Sequence, residues 1–315
     1  MTDKKAFADV YPLTPTQQGM LYHCLESGDA SLYVSQFSLT LEGHYQHEPA
    51  CQAWQSLVAR HTVLRTAFVW KNQKQPLQVV GHNANLSIQF DDCSHLTESE
   101  LKAHIHNTKL LDAAQGFELN KAGLLRFHCF KQNAHQFHCF LTIHHLILDG
   151  WSLNILMQEW LYEYHRLGLD DAKQTAALPD AKPFRQYIAW QKQQNQDQAM
   201  AYWKKLLAGF DTANSLALAK PEKQDSIEQE QQQKHASYGL ELSESLTQSL
   251  CIAAQKHRYT LSTLIQAAWV ICLQSISRQD DICFGLTRSG RPPQLTDVDR
   301  RMGMFITTLP IRIHA

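Results

Sequence analysis

The stretch from Leu124 to Gly150 constrains the fold more than any other. It reads LLRFHCF, then a polar KQNAHQ connection, then FHCFLTIHHLI, the pattern of a hairpin of two buried strands. Side chains alternate across a strand, so Phe137, Cys139, Leu141, Ile143 and His145 share one face of the second strand, and His138, Phe140, Thr142 and His144 share the other. The adjacent histidines therefore face opposite ways. After Asp149-Gly150 the period changes to helical, with Trp151, Ile155, Leu156, Trp160 and Leu161 on one side. A strand that ends in two histidines and passes through Asp-Gly into a helix can put an imidazole at the mouth of a cleft.

Further elements flank this unit. Thr14, Pro15 and Gln17 supply an N-cap, a favoured first residue and a capping-box partner for a helix ending near Ser27-Gly28. Strands are expected at Tyr33 to Leu41 and Leu64 to Trp70, with a helix from Glu48 to Arg60 between them. Pro183 opens a long helix through PFRQYIAWQKQQNQDQAMAYWKKLLAGF, and Lys220 to Lys234 is polar enough for an exposed loop. Then come a strand near Ser237 to Leu242, helices at Glu244 to His257 and Leu261 to Ser277, a strand at Asp281 to Thr287, a turn at SGRPP and a last strand in MFITTLPIRI. With 315 residues the order fits an α/β or α+β protein of two lobes, 1–175 and 176–315.

Net charge is −1, from 29 basic and 30 acidic side chains, which gives no broad electrostatic footprint for nucleic acid or an anionic membrane. No stretch approaches the ~20 apolar residues of a membrane span, and a cytoplasmic location is expected. The 8 cysteines form no CxxC pair and read as reduced and buried. His128, Cys129, His135, His138 and Cys139 alternate across two strands and do not converge on a zinc tetrahedron, so no metal is expected. TRSGRPP lacks a P-loop lysine, and no GxSxG elbow is present.

Residues 144–150, HHLILDG, carry the chemistry. A lone histidine is more often a satisfied core residue than a catalyst. Here an imidazole that can take a proton near neutral pH stands beside Gly150, whose helix N-terminus offers backbone N–H groups to a developing oxyanion. HHLILDGWS resembles the HHxxxDG signature of the condensation domains of nonribosomal peptide synthetases, members of the chloramphenicol acetyltransferase-like superfamily. PLTPTQQGMLYH (12–23), RHTVLRTAF (60–68), PFRQYIAW with AYWKKLL (183–207), FGLTRSGRPP (284–293) and MGMFITTLPIR (302–312) resemble successive motifs of the same family, in order.

The resemblance implies two chloramphenicol acetyltransferase-like lobes in a V, with a tunnel entered from opposite faces by the phosphopantetheine arms of upstream donor and downstream acceptor peptidyl carrier proteins. An adenylation domain of the same assembly line is a further partner. No cofactor is bound by the chain itself. His145 would act on the acceptor α-amine as it attacks the donor thioester, either as general base or by positioning the amine and stabilising the tetrahedral intermediate. His144 would be structural. Asp149 would either orient His145 or pair with an arginine of RHTVLRTAF, with Arg60 favoured over Arg65; Arg65 is otherwise a solvated strand-edge charge. Trp151, Ser152, Trp203 and Thr307 match motif or tunnel positions; Trp190 and Trp203 read first as core aromatics. Thr307 stands where the family commonly has asparagine, and Gln186 where it has aspartate.

Three other readings remain. An epimerisation domain shares the fold and signature, and a stand-alone acyltransferase would use a small acyl thioester. The third follows from the chain ending just after MGMFITTLPIR, where the family's second lobe continues: with that lobe incomplete, the chain would be an inactive carrier-docking fragment. The methionine a few residues before the first motif implies that the donor carrier arrives on another polypeptide. Leu148 within HHLILDGWS, together with LTPTQQGMLYH, resembles the condensation branch that accepts a D-configured donor residue more than the branch with serine at that place.

Overall fold

A computed structural model describes residues 7–168, 176–216 and 238–314. Its first strands and helices are β1 (Asp9–Pro12), α1 (Pro15–Ser27), β2 (Val34–Glu42), α2 (His47–Arg60), β3 (Thr66–Val69), β4 (Leu77–Val80), β5 (Ser87–Asp92) and α3 (Glu98–Gln115). They are followed by β6 (Leu125–Asn133), β7 (Gln136–His144), α4 (Gly150–Gly168), α5 (Arg185–Lys192), α6 (Gln196–Leu206), α7 (Glu244–Lys256), α8 (Leu261–Ser277), β8 (Asp281–Arg288) and β9 (Thr307–His314).

The hairpin forms as its pattern requires. Strand β7 is central in a four-stranded sheet ordered β2-β7-β6-β5, antiparallel to β2 and β6, while β5 joins parallel to β6. One face carries Phe127, Cys129, Cys139 and Leu141 into a core with Trp54 of α2 and Trp160 of α4, whose rings pack on Phe127 at 5.3 Å each. The other face packs Phe130 and Phe140 against Leu101 of α3. There Asp112 accepts from Arg126 Nε at 2.6 Å, and the guanidinium also bonds the carbonyls of Asp112 and Gly116. That clamp fixes the end of α3 on the sheet. Strands β1, β4 and β3 form a smaller sheet.

The Thr14/Gln17 capping box is present, and Gln17 is buried. Its Nε2 donates to the carbonyl of Leu146 at 2.7 Å, so the start of α1 holds the turn that follows β7.

The chain divides into two compact units, Met1–Gln194 with Thr287–Thr308, and Asn195–Leu286 with Leu309–Ala315. This differs from the expected division at 175/176. Phe184 and Tyr187 of the Pro183 segment pack on Phe305, at ring distances of 5.1 and 4.7 Å, which assigns α5 to the first unit. The long helix expected from Pro183 is two, because Asn195 caps a new start: its side chain accepts from Gln198 N–H at 2.9 Å. In the second unit Asn214 ties Gln279, Asp281 and Cys283, and Arg312 grips the Asp281 carboxylate at 2.6 Å. Residues 238–243 form no strand. The expectation of buried cysteines holds only at Cys93, Cys129 and Cys139. The expected loop at Lys220 to Lys234 and the first residue of that strand, Ser237, lie outside the described residues.

Candidate active site

Strand β7 ends at His144, and His145 starts a turn through Ile147. The His145 N–H donates to the Tyr33 carbonyl at 2.9 Å, extending the register of β2 by one bond. Every neighbour from Leu141 to Asp149 is buried; His145 alone of this run is half exposed. Its Nδ1 lies 3.1 Å from the Leu148 carbonyl. A carbonyl only accepts, so Nδ1 carries the proton and the lone pair is on Nε2, which has no partner among the described residues. The turn thus fixes the tautomer and leaves a basic nitrogen free.

His144 faces the other way, 2% exposed. Its Nδ1 accepts from Leu146 N–H at 3.1 Å, and Nε2 lies 3.8 Å from Cys24 Sγ. Burial, and then the neighbouring His145, hold its pKa down at about 4, so the ring is neutral at pH 7.

Asp149 caps α4. Its Oδ1 accepts from Ser152 N–H at 2.7 Å and from Arg291 Nη2 at 3.2 Å, and its Oδ2 accepts from Phe305 N–H at 3.1 Å. The expected pairing with Arg60 is corrected here: the partner of Asp149 is Arg291, and both side chains are almost wholly buried. Arg60 lies instead at the end of α2, 2.9 Å from Glu159, with a further bond to the Pro179 carbonyl. Helix α2 packs along α4, so the residue within its reach is Glu159, about three turns beyond Asp149. His61 Nε2 meets the same carboxylate at 2.6 Å. Arg65 bonds the Gly81 carbonyl at 2.5 Å, a local tie beside β3 that does not reach the histidine turn.

Ser152 completes the junction. Its hydroxyl donates to the Gly303 carbonyl at 2.9 Å and receives Gly303 N–H at 3.1 Å and Arg291 Nη2 at 2.9 Å. Glycine is required at 303 because a Cβ there would sit 2.1 Å from the Phe184 ring. Arg291 Nη1 bonds the carbonyls of Val298 and Arg301, and its guanidinium lies 4.2 Å from the Phe305 ring centre. Arg301 in turn reaches Gln186 Oε1 at 2.7 Å. Arg291 is the residue that sequence reasoning missed. Its one signal was its place in SGRPP, a motif that reads as a turn.

Gly150 is exposed at the first position of α4, and a Cβ there would meet nothing within 4 Å. The Asp149 side chain satisfies Ser152 N–H, and the Asp149 carbonyl satisfies Leu153 N–H at 3.0 Å, which leaves the Gly150 amide open. Trp151 is 48% exposed, with Nε1 donating to the Asp299 carbonyl at 2.9 Å. Thr307 is half buried at the start of β9. Trp203 belongs to α6 of the second unit, where its ring meets Tyr202 at 5.1 Å; Trp190 stacks on Tyr187 in the first. The structure thus brings His145, Asp149, Gly150, Trp151 and Ser152 together with Arg291 and the 299–305 segment. It does not bring Arg60 or Arg65 to them.

The family model described as Condensation domain matches residues 7–315. The chain belongs to the condensation-domain family. It is 37% identical over 304 residues to a linear gramicidin synthase protein of Brevibacillus parabrevis, covering 96% of this chain and 6% of that protein. It is 33% identical over 315 residues to tyrocidine synthase 3 of the same organism, covering 100% of this chain and 5% of that protein. The chain therefore spans a small fraction of the length of these curated relatives. Among solved structures, the first condensation domain of the CDA synthetase aligns with a TM-score of 0.76 at 16% identity, over 98% of this chain and 71% of that one. A four-domain nonribosomal peptide synthetase solved with AMP and glycine aligns with a TM-score of 0.76 at 20% identity, over 98% and 22%. The mixed α/β fold is that of condensation domains. No single helix among the described residues is long and apolar enough to cross a membrane.

Proposed function

We propose that this chain forms amide bonds between a donor acyl or peptidyl thioester and an acceptor aminoacyl thioester, each carried on the phosphopantetheine arm of a carrier protein. The acceptor amine attacks the donor thioester carbonyl, forming a C–N bond. The C–S bond then breaks, and the donor arm leaves as a thiolate. The amine proton passes to Nε2 of His145 and on to that thiolate. The open amide of Gly150 donates to the oxyanion of the tetrahedral intermediate. Asp149, Ser152 and Arg291 are positioning residues: they hold the turn without touching substrate.

The observation that carries this reading is the contact of His145 Nδ1 with the Leu148 carbonyl, which leaves Nε2 open, in a run that is otherwise buried. Upstream and downstream peptidyl carrier proteins and an adenylation domain are the partners of this reading. The 8 cysteines, free thiols throughout, suit a reducing cytoplasm.

The test is dipeptidyl thioester formation, read by mass spectrometry with both carriers loaded, comparing wild type with His145→Ala. Loss of product in the variant supports the assignment, and equal product from both removes it. Turnover of acyl-CoA alone, or racemisation of one loaded residue, would instead support the acyltransferase or epimerase reading.

A further inference from the structure

Tyr33, half-buried just before β2, is held in the left-handed region at a φ of 61°. Among the described residues Asn72, Arg258, Arg278 and Asp297 share that region, and Tyr33 is the one aromatic. Asparagine and aspartate enter it readily, and Arg278 caps the end of α8. A bulky side chain there carries strain that glycine avoids, and such strain persists only where the surroundings impose it. A turn needs only backbone, so a tyrosine kept in this conformation points to a use for its side chain.

The surroundings bind Tyr33 at both ends. Before it, Asp29 Oδ1 accepts from Ser31 N–H at 2.9 Å and from Ser31 Oγ at 2.7 Å, and Val34 N–H donates to the Ser31 carbonyl at 3.0 Å, which closes the turn. The Tyr33 carbonyl accepts His145 N–H at 2.9 Å. The phenol oxygen lies 2.9 Å from Nδ1 of His23 on α1, and the two rings stack at 12° with centres 6.4 Å apart. Tyr33 is therefore a strut from α1 to the backbone of His145. Gln17, earlier on the same helix, makes the other tie, to the Leu146 carbonyl at 2.7 Å. At the rise of an α-helix the two anchors stand about 9 Å apart along α1, and both hold the histidine turn.

We infer that Tyr33 is a positioning residue for His145: its left-handed backbone turns the carbonyl onto the His145 N–H, and its phenol, bonded to His23, locks that carbonyl to α1. The role rests on His145 being the proton acceptor of the proposed function. Misplacing a reacting group by about 1 Å costs up to about 100-fold in rate. An exposed hydrogen bond adds little to stability. Loss of the tie therefore shows in turnover before it shows in melting.

The test follows amide formation by the full chain with both carriers loaded, and exchange of the His145 N–H by NMR. Tyr33→Phe keeps the ring and the backbone and removes only the hydroxyl. Its kcat is expected to fall about fivefold or more with KM within about twofold, at an unchanged melting temperature. Exchange of the His145 N–H is expected to quicken about tenfold. His23→Ala, at an exposed position, is expected to do the same, and the double variant to lose no more than either. Tyr22→Phe removes another exposed phenol bond of α1, to Glu26 at 3.3 Å, and is expected to change neither readout. Three results overturn the inference: wild-type turnover and exchange in Tyr33→Phe; additive losses in the double variant; or a melting temperature that falls in step with turnover, which makes Tyr33 a packing residue alone. Were His145→Ala to form product like wild type, the proposed function would fall and exchange alone would decide the tie: faster exchange in Tyr33→Phe keeps Tyr33 as the strut of the turn, and unchanged exchange removes it.

Discussion

Replacing Asp149 by asparagine tests the junction that holds the histidine turn. The carboxylate serves three donors with two oxygens: Ser152 N–H and Arg291 Nη2 on one, Phe305 N–H on the other. Asparagine offers one oxygen, and its amide group must then face at least one of those donors. The change also removes the countercharge of a guanidinium whose side chain is 3% exposed. Stranding a buried charge costs about 3–5 kcal/mol. At about 2–4 °C per kcal/mol for a unit of this size, the transition of the first unit should fall by roughly 6–20 °C. Removing Arg60, whose contact with Glu159 keeps 17% and 14% exposure, should cost only about 1 kcal/mol. Urea denaturation of single and double variants separates the two arginines. Asp149 should couple to Arg291 by about 2 kcal/mol or more, and to Arg60 by less than about 0.5. A cost below about 1 kcal/mol for Asp149→Asn, or stronger coupling to Arg60, would refute this account of the junction.

Gly150→Ala should fold normally, because its Cβ meets nothing, while amide formation falls at least tenfold; unaltered turnover would mean that no substrate group approaches there. His144 titrates at about 4 when folded and near 6.5 when unfolded, so acidification through that window protonates only the unfolded chain. Stability should fall by about 3 kcal/mol between those limits, and His144→Gln should flatten the slope by about one proton; an unchanged slope would count against a neutral buried ring. Gln186→Leu leaves Arg301 Nη1 without its acceptor and should cost about 1–3 kcal/mol, checked by thermal melting.

Legibility followed the physics of each element. Thr14-Pro15-Gln17, the β6–β7 hairpin and the start of α4 were readable because caps, alternation and a change of period are local signals. Helix α3 carries an equally local one, the Thr97/Glu100 capping box, that sequence reasoning missed. Strands β1 and β4 are four residues each and too short to show a period. The break at Asn195 was hidden in a glutamine-rich run that suits one helix as well as two. Within the site, the backbone direction of His144 and His145 followed from alternation. The partner of Asp149 did not, because the choice between Arg60 and Arg291 is made by packing across 142 residues of sequence.

The Ser152 hydroxyl meets the Gly303 backbone across 151 residues, and Asp149 meets Phe305 across 156. On the ribosome, β6, β7 and α4 leave the exit tunnel long before those partners exist. At about 5–20 residues per second, the nascent chain waits on the order of ten seconds with the Asp149 carboxylate still hydrated. The hairpin and its helix can form early, but the histidine turn acquires its final bonds only after Phe305 has been synthesised.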